Sequence, residues 1–314
     1  MTRTDAKISR LRTEARNFAA ARLDTSSPLQ IARIINAEDA KVAPAIRRAL
    51  PQIARAIDLI AAALERGGRL LYVGAGTSGR IAALDAAECP PTFNTDPQMV
   101  QFVMAGGTRA LGAAVEANED SRALGRRDMA AKKLGKNDVV VGIAASGRTP
   151  YTIAALEYAH RHGARTVALT CNRGSALGKA ADISIVVEVG PEVVAGSSRM
   201  KAGTAQKMVL NMLSTGAMAR LGYVYGNLMV NVHLKNRKLV QRGVSILKNA
   251  AEVDEGQASR TLRLAGNSVP VALVMLRAGV GRGEAQNCLR AAKGHVRKAI
   301  ASALRHRTNG RGTK

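Results

Sequence analysis

The chain has 314 residues, 46% of them apolar but only 3% aromatic, and its 47 Lys and Arg against 23 Asp and Glu leave a formal net charge of +24. No apolar run reaches the roughly 18 residues of a membrane-crossing helix, and the N-terminus has no apolar core of a signal peptide. The basic residues come in scattered pairs such as Arg47-Arg48, Arg126-Arg127 and Lys132-Lys133, and there is no Trp, with three Phe and five Tyr, so the stacking platform of a single-strand binder is missing. A solvated basic surface accounts for the charge, with attraction of an anionic substrate as a modest addition; neither a nucleic-acid nor a membrane partner is expected.

From Ser9 to about Arg66 the pattern is helical. Ile31, Ile34 and Ile35 recur at helix spacing, as do Ile46, Leu50, Ile53, Ala54 and Ile57. Pro28 after a Thr-Ser-Ser cluster marks a helix start. The spacing lacks the compact three-helix unit of a DNA-binding helix-turn-helix. Five short apolar runs then alternate with helical stretches: Leu70–Val73, Val100–Met104, Asp138–Ile143, Thr166–Leu169 and Ile183–Val189. Brief, β-branched and nearly continuous, they suit strands buried on both faces. The expected class is α/β, a doubly wound five-stranded parallel sheet whose ligands sit at the carboxyl ends of the strands.

After Gly196 the strands stop. Ala205, Met208, Val209, Met212, Leu213 and Gly216 share one helical face, suited to a core or a subunit contact. From about Ala251 three short helical patterns follow, separated by Gly-Asn and Gly-Arg-Gly. The expected organisation is an N-terminal helical segment over 1–66, the sheet domain with its long helices over 67–250, a small helical module over 251–304 and a disordered basic tail over 305–314. Cys89, Cys171 and Cys288 stand far apart in no metal or C-x-x-C spacing, which suits a reducing cytoplasm.

The first strand runs into Gly74-Ala-Gly-Thr77-Ser78-Gly79, with a helix expected from Gly79. A strand feeding a glycine turn into a helix N-terminus makes an anion site, because free N–H groups and the helix dipole point at the ligand. The loop fits G-x-G-x-x-G, yet a dinucleotide site also wants an acidic residue after the second strand. That strand ends in Ala-Gly-Gly instead, which favours a phosphate monoester held by Thr77 and Ser78. The third strand runs into Ala144-Ala-Ser146-Gly147-Arg-Thr149-Pro150, a second loop of the same design. Hydroxyls before helices are ordinarily N-caps, but two such loops side by side would surround a phosphate.

Two acidic stretches accompany these loops. In Asp85-Ala-Ala-Glu88-Cys-Pro-Pro-Thr92 the double proline is expected to end a helix at Cys89 and hold Glu88 on a stiff turn. In Ala113–Asp120, expected to be helical, Glu116 and Glu119 are three apart on roughly one face. Gly196–Thr204, with Ser197, Ser198, Arg199 and Lys201 ahead of a long helical pattern, reads as a further anion clamp.

Together these stretches resemble the sugar isomerase (SIS) superfamily and, within it, the N-acetylmuramic acid 6-phosphate etherase family. The resemblance covers nearly the whole chain, through TEARN (Thr13–Asn17), GAGTSGR (Gly74–Arg80), LDAAECPPTF (Leu84–Phe93), VVVGIAASGRTPY (Val139–Tyr151) and GSSRMKAGTAQKMVLNMLSTG (Gly196–Gly216). It implies a carbon–oxygen lyase that turns N-acetylmuramate 6-phosphate into N-acetylglucosamine 6-phosphate and D-lactate, with no cofactor and no metal. By the same resemblance Glu88 is the acid that protonates the departing lactyl oxygen and Glu119 the base at C2. Ser78, Ser146 and Thr149, helped by Thr77, hold the 6-phosphate. Two carboxyls can divide this work only where their surroundings split their pKa values. The resemblance further implies a homodimer with sites near the subunit interface and a ubiquitin-associated-like C-terminal module. A non-catalytic sugar-phosphate regulator using the same loops is the alternative.

Overall fold

The computed structural model describes residues 12–113, 118–232, 234 and 236–309. They form two compact units, one of the residues up to Ala87 with Pro97–Gly216, the other of Glu88–Asp96 with the residues from Ala217 onward.

The first unit opens with helices α1 (Pro28–Asp39), α2 (Val42–Arg47) and α3 (Leu50–Glu65). At α1, Ser27 accepts a hydrogen bond from Gln30 N while the Gln30 side chain accepts from Ser27 N, so the Thr-Ser-Ser-Pro signal is a capping box with proline in the first turn. Then come β1 (Leu70–Gly74), α4 (Gly76–Phe93), β2 (Val100–Met104), α5 (Arg122–Ala130), β3 (Val139–Ile143), α6 (Pro150–Arg161), β4 (Arg165–Thr170), the short α7 (Ala176–Lys179), β5 (Ile183–Val186) and α8 (Lys201–Arg220). All pairings are parallel, in the order β2-β1-β3-β4-β5. The doubly wound sheet is as expected.

Strand residues alternate between the two faces of the sheet. Leu71, Val73, Val140 and Ala168 share one core with Met129 of α5, Leu156 of α6 and Leu177 of α7. Tyr72 points the other way, and its hydroxyl donates to the buried Asp85 of α4 at 2.7 Å. Asn211 and Ser214 of α8 donate to the same carboxylate, at 2.7 and 3.1 Å.

The double proline does not end α4, which runs on to Phe93. Pro90 and Pro91 cannot donate to carbonyls four residues back, but only one turn of helix lies beyond Cys89, so the loss falls where the helix is ending anyway. Asn94 closes it, donating its N–H to Pro90 O at 2.8 Å in the left-handed conformation that asparagine tolerates.

The second unit holds α9 (Arg237–Ala251), α10 (Glu255–Leu264), α11 (Val269–Ala278), α12 (Arg282–Ala291) and α13 (Val296–Asn309). Leu247 of α9 shares its core with Leu262, Leu273, Leu289 and Ala299. The helix over 237–251 therefore belongs with the C-terminal helices rather than with the sheet. Among the described residues beyond Ala251 there are four helices instead of three patterns, because a turn at Lys293–His295 starts another one. That helix carries the first part of the basic tail, through Asn309.

Candidate active site

In this strand order the chain connections reverse direction between β1 and β3, which opens a crevice at the carboxyl ends of those two strands. A cavity of about 570 Å³ lies there. The first glycine loop lines it with Gly76, Thr77 and Ser78, the second with Ser146 and Thr149. Glu119, Asp120, Arg80, Thr13, Glu14, Gly196 and Ser198 complete the polar wall.

The first loop is tighter than expected, since α4 opens at Gly76 and not at Gly79. Thr77 and Ser78 therefore stand in the first helical turn, where backbone N–H groups have no carbonyl within the helix. Gly76 has φ +51°, and a Cβ there would lie 2.9 Å from Glu119 Oε1. Only glycine lets that carboxylate come so close to the helix start. The Glu119 backbone is fixed as well: its carbonyl accepts from Tyr151 N at 3.0 Å, in the first turn of α6. Arg80 reaches back from α4, donating to Leu111 O at 3.2 Å and Ala113 O at 2.8 Å. The half-buried Glu119 is thus tied through its backbone to the first turn of the helix that follows the second glycine loop.

At the second loop Gly147 has φ +66°, and a Cβ would meet Ser175 Cβ at 2.4 Å. Gly147 shapes the turn without lining the cavity. Thr149 is the N-cap residue of α6, yet its side chain makes no capping bond, and the residue lines the cavity. Ser146 Oγ accepts from Arg148 N at 3.2 Å, and Ser78 Oγ donates to Gln206 Oε1 at 3.0 Å.

The Gly196–Thr204 stretch contributes less than its composition suggests. Gly196 and Ser198 line the cavity, whereas Ser197 and the exposed Arg199 do not. Lys201 is 1% exposed and ion-paired to the buried Glu38, so it is no anion clamp. Burial alone would raise the Glu38 carboxyl, but hydrogen bonds from Lys201 and Lys41 hold it below the ordinary carboxylate range. Glu192, fully buried, caps α8 by accepting from Lys201 N at 3.0 Å and Ala202 N at 2.9 Å.

Glu88 departs from expectation too. It sits within α4 rather than on a turn, it is exposed, and it is not among the residues lining this cavity. Glu116 lies outside the described residues. Sequence reasoning assigned no role to Glu14, Arg80 or Asp120. Glu14 is brought to the cavity because its flanks are anchored: Asn172 Nδ2 donates to Thr13 Oγ1 at 3.2 Å, and Asn17 Nδ2 donates to Pro191 O at 3.3 Å. The TEARN motif carried the signal without its meaning. Cys171 is buried, which pushes its thiol up to about 12, so it is no thiolate nucleophile. Among the described residues no group of three or more His, Cys, Asp or Glu could hold a metal ion, and no helix is long and apolar enough to cross a membrane.

The same regions carry the likeness to known proteins. The glucokinase regulatory protein N-terminal SIS domain matches residues 52–160, and the SIS domain matches residues 120–216. N-acetylmuramic acid 6-phosphate etherase of Klebsiella aerogenes is 50% identical over 295 residues, covering 94% of this chain and 98% of its own. The protein of that name from Symbiobacterium thermophilum is 57% identical over 274 residues, covering 87% and 91%. This chain belongs to the N-acetylmuramic acid 6-phosphate etherase family. Etherase 1 of Bacillus licheniformis is 46% identical over 297 residues, covering 95% and 98%, so the etherases match the helical C-terminal unit as well as the sheet. Among solved structures, a phosphoheptose isomerase from Francisella tularensis is 22% identical, covering 62% of this chain and 99% of its own at a TM-score of 0.48.

Proposed function

We propose that this chain cleaves the D-lactyl ether of N-acetylmuramate 6-phosphate with water, releasing N-acetylglucosamine 6-phosphate and D-lactate, a step of cell-wall amino sugar recycling. One observation carries the reading: two glycine loops of phosphate-binding design share a cavity with the Glu119 carboxylate, in a chain that etherases match at 46–57% identity.

Thr77, Ser78, Ser146 and Thr149, with the free N–H groups of α4 and α6, hold the 6-phosphate. Binding energy from this remote group positions the reacting carbons. In the open-chain sugar the C1 aldehyde acidifies the C2 hydrogen. Glu119, beside the start of α4, removes that proton, and a carboxylic acid protonates the C3 ether oxygen as lactate leaves. Water then adds at C3 of the C2–C3 double bond while a proton returns to C2.

We assign the acid to Glu88 of a second copy. Glu88 is exposed and outside the cavity lining of its own chain, as a residue lent to a partner's site would be. An apolar groove of about 730 Å³ lined by Ile53, Ile57, Met208 and Met212 offers the contact face of a homodimer. The phosphorylated substrate and three free, buried cysteines suit a reducing cytoplasm.

The test is lactate release, followed with a D-lactate dehydrogenase, from the phosphorylated and the unphosphorylated sugar. Lactate from the 6-phosphate alone supports the reading. Tight binding of the 6-phosphate without lactate would make the chain a sugar-phosphate sensor instead.

A further inference from the structure

Ser78 occupies the first turn of α4 with a hydroxyl that has one proton to give. In the structure that proton goes inward: Ser78 Oγ donates to Gln206 Oε1 of α8 at 3.0 Å. A hydroxyl so engaged can only accept from a ligand, and a phosphate oxygen offers nothing to accept. The arrangement also strands a second group. Gln206 is 1% exposed, and its Nε2 has no hydrogen-bond partner among the described residues. A buried donor left unpaired is among the costlier polar defects of a protein interior.

Both faults have one remedy. The carboxamide of glutamine is nearly symmetric in shape, and half a turn about its last bond exchanges oxygen and nitrogen. Nε2 then donates to Ser78 Oγ, the stranded donor is paired, and the Ser78 proton is released toward the cavity. The group left over is a carbonyl oxygen, which tolerates a missing partner better than an N–H does.

We propose that Gln206 is a positioning residue for phosphate binding: with its carboxamide turned over, Nε2 donates to Ser78 Oγ, and Ser78 donates its proton to an oxygen of the substrate 6-phosphate. This rests on the reading that Ser78 holds the phosphate. Gln206 lies five residues after Lys201 in the KAGTAQKM run at the start of α8; Lys201 serves the fold, so this run supplies the phosphate site through its glutamine. The turned orientation pairs Nε2 and leaves the Ser78 proton free for a phosphate oxygen.

A double-mutant cycle decides it, with KM for N-acetylmuramate 6-phosphate and competitive inhibition by inorganic phosphate as readouts. Ser78→Ala raises KM and weakens phosphate inhibition by about tenfold, the worth of one hydrogen bond to a charged group. Gln206→Met keeps the length of the side chain and removes the donor. It raises both constants several-fold, with kcat changed less than about twofold because the chemical step is untouched. In the Ser78→Ala background Gln206→Met has no further effect on either constant. A full effect of Gln206→Met in both backgrounds would make Gln206 structural and overturn the proposal. Unchanged constants in Ser78→Ala alone would instead overturn the phosphate reading of Ser78. Should Gln206→Met not fold, Gln206→Leu serves, since it too removes the donor. Wild-type constants in that variant would equally overturn the proposal.

Discussion

The glycine loops after β1 and β3 and the stretch before α8 look alike as sequence, each placing glycine and hydroxyls ahead of a helix. Their surroundings separate them. At β1 and β3 the helices start over an open crevice, with the Glu119 carboxylate beside Gly76. At α8 the anion is built in: Glu192 occupies the helix N-terminus and Glu38 takes the lysine. An anion site whose anion is supplied by the chain itself is a fold element, whatever its motif suggests.

The comparison can be broken most severely at the two glutamates. Glu119→Ala and Glu88→Ala should each lose at least about a thousandfold in lactate release, the scale of acid–base catalysis. When the two inactive variants are unfolded together and reassembled, mixed dimers regain one complete site in half the molecules, and activity returns to about a quarter of wild type. No recovery would put Glu88 and Glu119 to work within one chain.

At α8 the larger effect is on stability. Glu38→Gln leaves the buried Lys201 ammonium without its carboxylate and should cost about 3–5 kcal/mol in chemical denaturation, with KM of the folded fraction changed little. The Glu38 carboxyl is held low, so the stability it lends is complete above its ordinary range. It is lost as the pH falls from the ordinary carboxylate range through the lowered folded value. Glu38→Gln should flatten that acid limb, and an unchanged limb would mean that other carboxylates set it.

Smaller effects sharpen the contrast. Ser146→Ala and Thr149→Val, which remove hydroxyls lining the cavity, should each raise KM about tenfold at similar stability. Arg199→Ala, exposed and outside the lining, should move KM by less than about twofold. A tenfold effect there would restore the Gly196–Thr204 stretch to the binding site.

Much of this was legible in the sequence because it is written locally. A continuous β-branched run ending in glycine specifies a buried strand and a turn, and the five runs and both loops stand where those signals put them. What the sequence did not disclose depends on partners far along the chain. Lys201 reads as a cation for a ligand until Glu38, 163 residues away, is seen beside it. Glu14 reads as an ordinary surface acid until Asn172 and Pro191 fix its flanks. Gln206 carries no signal apart from Ser78. Pro90-Pro91 misled for another reason: proline breaks a helix interior far more strongly than a last turn.

The most direct test of the central claim is to incubate the protein with N-acetylmuramate 6-phosphate in D₂O and follow deuterium at C2 together with lactate. The account expects wild type to release lactate and label C2, Glu88→Ala to label C2 without releasing lactate, and Glu119→Ala to do neither. Lactate release with C2 still carrying its original hydrogen would contradict elimination and remove Glu119 as the base.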